Sequence, residues 1–191
     1  MPSLTEVANL ALAMVGDERI TSLETDTSEA ASLCNQQLGL VRDTCLVQHP
    51  WNFAARRASL PALATAPAFE YGYAYRIPAD CLRVLTLFSI DPHQPWLREG
   101  DDILTDLPAP LRIRYIARVS DSGQWAPLFV DMVAATLAER LALPLSASQQ
   151  NRAAIAQLQD RIRARARAID AAEGTPHPAT MPADVFVQSR F

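Results

Sequence analysis

Apolar positions along this chain change period twice. Up to residue 48 they recur every three or four places, the spacing of one helix face. Ser3 followed by Glu6 is a capping-box pattern, and Val7, Leu10, Ala11, Met14 and Val15 then share a side until Gly16 supplies a stop. Residues 25–28 offer caps for a second helix over 28–48, with the stripe Ala30, Leu33, Cys34, Leu38, Val41, Cys45 and Leu46. Pro50 ends it by fixing φ and removing a donor.

Residues 51–121 read as β structure. Residues 53–60 form one predicted strand, and residues 61–71 form a proline-spaced crossing. Residues 74–77 and 82–90 read as a strand pair divided by the turn Pro78, Ala79, Asp80. Residues 96–98 and 103–105 flank Glu99, Gly100, Asp101 and Asp102 as a short hairpin. From 111 to 117 the alternation is strict: Leu111, Ile113, Tyr115 and Ala117 take one face, Arg112, Arg114 and Ile116 the other.

The helical period returns after Asp121. Pro127 suits a first helical turn, and Leu128, Phe129, Val133, Leu137 and Leu141 with intervening alanines describe a mostly buried helix ended by Pro144. Ser146 or Ser148 caps a last helix to about Glu173, with the seam Ile155, Leu158, Ile162, Ala166 and Ile169. The expected fold is α+β, a bundle of about four helices with a small antiparallel β lobe inserted between the second and third. In residue ranges, 1–50 and 122–174 make a discontinuous bundle, 51–121 the lobe and 175–191 an extended C-terminal arm.

With 191 residues, 49% apolar and 20% charged, the chain has the make-up of a folded protein with one core or two small lobes. No apolar run approaches the roughly 20 residues of a membrane span. Cys34 and Cys45, on one predicted helix, lie about 16 Å apart along its axis, beyond disulfide reach. No cysteine or histidine spacing suits a metal. All 17 basic residues are arginine, which coding bias explains as well as selection for bidentate pairing does. The net charge of −4 argues against a protein whose main task is gripping DNA.

Catalytic patterns are missing. The six glycines form no phosphate loop, and no nucleophile elbow or Cys–His context occurs. Asp101, Asp102 and Asp106 admit a small-hydrolase reading, but a solvated acidic loop accounts for them without it. We therefore expect no enzyme, no cofactor and no metal. Arg161, Arg163, Arg165 and Arg167 step two residues at a time and flank the seam on both sides. A solvated helix surface accounts for them best, ahead of pairing with a neighbouring subunit's acids. The alternative function, a DNA-binding module on this helix, lacks base-reading residues nearby. Trp51, Phe53, Phe69, Tyr71, Tyr73 and Tyr75 read as lobe core rather than a base-stacking platform, the three tyrosines sharing one strand face.

Several blocks, in order, carry a resemblance. ALAMVGDERITSLETDTSEA, HPWNFA, SLPALATAPAFEYGYAYRIPADCLRVL, LRIRYIARV, WAPLFVDMVAATLAERLALPLS and ARAIDAAEGTP together cover nearly the whole chain. They resemble the tail tubular protein A family, the head-to-tail adaptors of short-tailed, T7-like bacteriophages. The resemblance implies a virion structural protein found in the tail connector, and in host cytoplasm during assembly. It implies a ring of twelve copies under the portal protein, with the tail nozzle protein below and tail fibres as further candidate partners. Genomic DNA would pass through the channel without specific binding, and no membrane is involved. Residues 91–106 carry a local charge of −4 and residues 152–167 one of +4, raw material for head-to-tail contacts. The candidate partner-binding residues are Arg161, Arg163, Arg165 and Arg167 on the last helix, and Phe186, Val187, Arg190 and Phe191 in the arm. The arm's exposed apolar end suits a partner groove.

Overall fold

A computed structural model describes residues 2–89, 94–145 and 148–173. Its helices follow from their ends. In α1 (Leu4–Val15) the Ser3 hydroxyl accepts from the Glu6 amide at 3.2 Å, and the Glu6 carboxylate accepts from the Ser3 amide at 2.6 Å. Gly16 closes it at φ 87°, a left-handed conformation that glycine adopts without steric cost. Ser28 caps α2 (Glu29–Gln48), and Ser148 rather than Ser146, which lies outside the described residues, caps α4 (Gln149–Ala172). Between them Pro127 starts α3 (Pro127–Leu141). Helix α3 packs on α1, α2 and α4, and its small buried residues Ala134, Ala135 and Ala138 let neighbouring backbones come close. Leu10, expected on the α1 stripe, is exposed, while Ala8 and Leu12 are buried.

The lobe lies between α2 and α3 and consists of two three-stranded antiparallel sheets. One has the order β1 (Ala55–Leu60), β6 (Leu111–Ala117), β3 (Cys81–Phe88). The other has the order β2 (Tyr73–Arg76), β5 (Asp102–Thr105), β4 (Trp96–Glu99). Leu60, Leu111, Ile113 and Tyr115 of the first share a core with Tyr75 and Ile103 of the second and with Ile77. The β4–β5 hairpin forms as expected, with Gly100 at φ 57° in its turn.

The strand pair expected from residues 74–77 and 82–90 does not form. Ile77 stays with the second sheet, its amide donating to Asp101 O at 2.9 Å. A turn closed by Cys81 N to Pro78 O then delivers the chain to the first sheet, where Arg118 N donates to Asp80 O. The reason is one of length: eight-residue β3 would leave half its backbone groups unpaired beside four-residue β2, whereas β6 offers seven residues. Two register shifts in β3 fall at Leu82 and Leu85, and both side chains pack on the helical core. The strand expected from residue 53 begins at Ala55, because Asn52–Ala54 form a 3₁₀ turn.

That turn belongs to the first of two crossings between bundle and lobe. Trp51 and Ala54 before the lobe, and Ile116 and Val119 at its end, are all buried in the helical core. The Trp51 indole N–H donates to Cys45 O at 2.9 Å, and the Trp125 indole N–H donates to Val119 O at 2.9 Å. Both rings stand edge-on to Phe129, with centroids at 5.1 and 5.3 Å.

The last helix packs on the expected seam at Ile155, Ile162 and Ala166 but not at Leu158 and Ile169. Leu158 and Ile169 are exposed, and the buried positions are Ile155, Gln159, Ala166 and Asp170. Two polar residues take the apolar places because each finds partners. Gln159 Nε2 donates to Thr136 Oγ1 at 3.2 Å; Asp170 accepts from Asn52 N at 3.0 Å and meets His49 Nε2 at 2.8 Å. Removing the Trp51 ring therefore empties the first crossing. We expect Trp51→Ala to cost about 3–5 kcal/mol in urea unfolding, and Leu158→Ala, on the outer face, to stay within about 0.5 kcal/mol.

Candidate functional surfaces

The arginine run on α4 splits. Arg161 and Arg165 are exposed, whereas Arg163 and Arg167 lie half-buried against the bundle. Arg163 pairs with Asp160 at 3.6 Å, and Arg167 reaches Gln48 Oε1 at 3.5 Å. Exposed Leu158 and Ile169 stand on the same outer side as Arg161 and Arg165. The four residues thus make a mixed apolar and basic stripe rather than a continuous cationic one. Phe186, Val187, Arg190 and Phe191, with the whole expected arm, lie outside the described residues.

The acidic loop residues are engaged in the fold. Arg76 reaches Asp101 at 3.7 Å and Asp102 at 3.0 Å, and Asp106 accepts from the Gly72 amide at 2.8 Å. The aromatic set divides as well. Trp51, Phe53 and Tyr75 pack inside, with the Tyr75 hydroxyl donating to Leu107 O at 2.6 Å, while Phe69 is 81% exposed. Tyr71 precedes the strand in a turn around Glu70, at φ 73°, so the expected row of three tyrosines holds two.

A basic surface emerges only from strand pairing. Arg57 of β1 lies directly opposite Arg114 of β6, and Arg112 lies between Ser59 and Phe88. These residues share the face whose other end, at Ile116, is covered by the helices. Arg57 and Arg112 are exposed, Phe88 is 45% exposed, and the buried Nε of Arg114 has no acceptor among the described residues. Among the described residues no carboxylate pairs with any of the three arginines. A depression of about 440 Å³ opens beside Arg57, Ser59, Phe88 and Arg112. Like charges set directly opposite across strands destabilise a sheet, so this face is at its least favourable when bare. The alternation of β6 made Arg112 and Arg114 neighbours in sequence; only the register adds Arg57 and Phe88.

A surface of opposite sign lies in the α1–α2 connection. Residues 17–29 hold Asp17, Glu18, Glu24, Asp26 and Glu29 against Arg19, a net −4. None of the five acids enters an ion pair among the described residues. Asp26 braces the loop: the Ser28 and Thr21 amides donate to its carboxylate and hold its pKa down to about 2. Glu18, Glu24 and Glu29 point outward and are exposed.

Among the described residues no group of three or more histidine, cysteine or acidic side chains converges as a metal site would, and no helix is long and apolar enough to cross a membrane. No protein-family model matches the chain, and no curated protein matches it.

The cysteines are buried or half-buried. Burial pushes Cys34 up to about 11, and it pushes Cys45 to about 11 against weaker opposite pulls from Thr136, Arg163, Arg140 and Arg167. Burial likewise raises Cys81, less strongly. The folded state thus keeps these thiols protonated. Their contribution to stability is constant below the ordinary thiol value of 9.0 and falls as pH rises from there towards 11. We expect native alkylation at pH 8 to modify Cys81 first, leaving Cys34 and Cys45 until the protein unfolds; mass spectrometry of the timed products would show the order.

Proposed function

We propose that this protein is a virion structural protein, a head-to-tail adaptor that forms a ring beneath the portal of a short-tailed bacteriophage. One observation carries the reading: the ordered resemblance to the tail tubular protein A family, which runs through both tryptophan-bearing crossings. HPWNFA holds Trp51 and WAPLFVDM holds Trp125 and Phe129, so the likeness falls on the residues that fix lobe to bundle.

Physical features agree with such a role. A closed ring built from one chain needs two different faces that complement each other. The arginine face of the lobe and the acidic α1–α2 loop have that character. A ring of subunits each carrying −4 is acidic overall, which suits passage of DNA without grip. The reading assigns no catalytic residue and no cofactor. Its partners are further copies of the chain, the portal above and the nozzle below.

The test is negative-stain electron microscopy of the full chain mixed with its portal ring. We expect a second ring of twelve copies stacked coaxially on the portal. Portal rings that remain bare, with the chain sedimenting separately, would overturn the reading.

A further inference from the structure

Among the described residues, Arg57, Arg112 and Arg114 pair with no carboxylate, and the acids of loop 17–29 enter no ion pair. They do not neutralise each other within one subunit. The lobe meets α2 near its end, through Arg118 to Asp43 at 2.9 Å and Arg83 to Val47 O at 3.1 Å. The acidic loop sits at the other end of that helix, with roughly 27 Å of helix between Glu29 and Val47. The bare arginines, in turn, lie towards the end of β6 away from Ile116, where the helical cover stops.

We propose that the acidic loop of one copy docks on the arginine face of the next copy, and that this is the contact between neighbouring subunits. Opposite charge brings the two surfaces together: three arginines that pair with no carboxylate among the described residues meet a loop of net −4 whose exposed acids form no ion pair among them. The contact also removes a defect on each side. A carboxylate between Arg57 and Arg114 cancels the repulsion between directly opposed like charges. Phe88, half exposed beside Arg112, supplies apolar area against the partner. The loop arrives in a set shape, because Asp26 ties Thr21 and Ser28 together, so little ordering entropy is lost on docking. The two surfaces differ, which makes the contact head-to-tail. Repetition therefore gives a ring when the rotation closes and an open chain when it does not. Closure as a ring rests on the adaptor reading above; the pairing of the two surfaces does not.

A charge swap in the full chain tests this. One variant carries Arg57→Glu with Arg112→Glu, the other Glu18→Arg with Glu24→Arg. All four positions are exposed, so circular dichroism melts should match the wild type. By sedimentation velocity at low ionic strength, the wild type self-associates and weakens as salt rises, because these charges sit at a screened surface. Each variant alone associates at least about tenfold more weakly. Mixing the two restores association, since each new charge finds its opposite. Variants that associate like the wild type, a mixture that stays dissociated, or a wild type monomeric at millimolar concentration would each overturn the proposal. So would tight binding of a fluorescent oligothymidylate that Arg57→Glu abolishes while self-association persists, for the face would then take phosphates. The adaptor reading separates from this one by a further arm. If the swap variants still assemble on the portal ring as the wild type does, the pairing fails and the adaptor stands. If the wild type self-associates through these faces yet ignores the portal, the adaptor fails and the pairing stands.

Discussion

Everything in this molecule hangs on the way two chain crossings are fixed around one phenylalanine. The chain leaves the bundle after α2 and returns before α3, and at each crossing a tryptophan turns back to hydrogen-bond a backbone carbonyl. Both indole rings then close on Phe129, in the first turn of α3. Each indole satisfies a buried acceptor and fills core volume at once, so neither duty can be dropped without harming the other. An inserted lobe would otherwise swing on its two linkers. Here the linkers are themselves core.

Helix α4 adds a second fastening from the far end of the chain. Asp170 gathers the Asn52 amide and the His49 ring, while its own carbonyl accepts from Asn52 Nδ2 at 2.7 Å. A nearly buried carboxylate held by two partners stabilises one geometry more than it stabilises folding in general, because any other arrangement leaves it short of them. Gln159 acts alike one stretch earlier, where its amide meets the Thr136 hydroxyl, which itself donates to Met132 O. For the proposed ring the consequence is mechanical. Charged surfaces on the lobe and on the α1–α2 loop are held at a fixed spacing and angle. That is the requirement for a repeated head-to-tail contact to close after a set number of copies.

Much of this fold was legible in the chain. Helix ends could be read because their caps are local: Ser3 with Glu6, Ser28, Pro127 and Gly16 act within four residues of themselves. Strand β6 could be read because a half-buried strand alternates. Strand partnership could not, since β2 and β3 each alternate acceptably and nothing local says that a turn at Pro78 passes between sheets. Two positions of the α4 seam misled for a different reason. Leu158 and Ile169 have the right spacing and hydropathy, yet Gln159 and Asp170 take the buried places, because their partners lie 23 and 118 residues away in sequence. The arginine face was half visible, as Arg112 and Arg114; the opposed Arg57 required the β1–β6 register.

The central claim is that the crossings make bundle and lobe one cooperative body. Differential scanning calorimetry of the full chain tests it directly. The account predicts a single transition whose calorimetric and van't Hoff enthalpies agree. Two resolved transitions, or a van't Hoff enthalpy well below the calorimetric one, would contradict it, because either would mean that lobe and bundle melt separately.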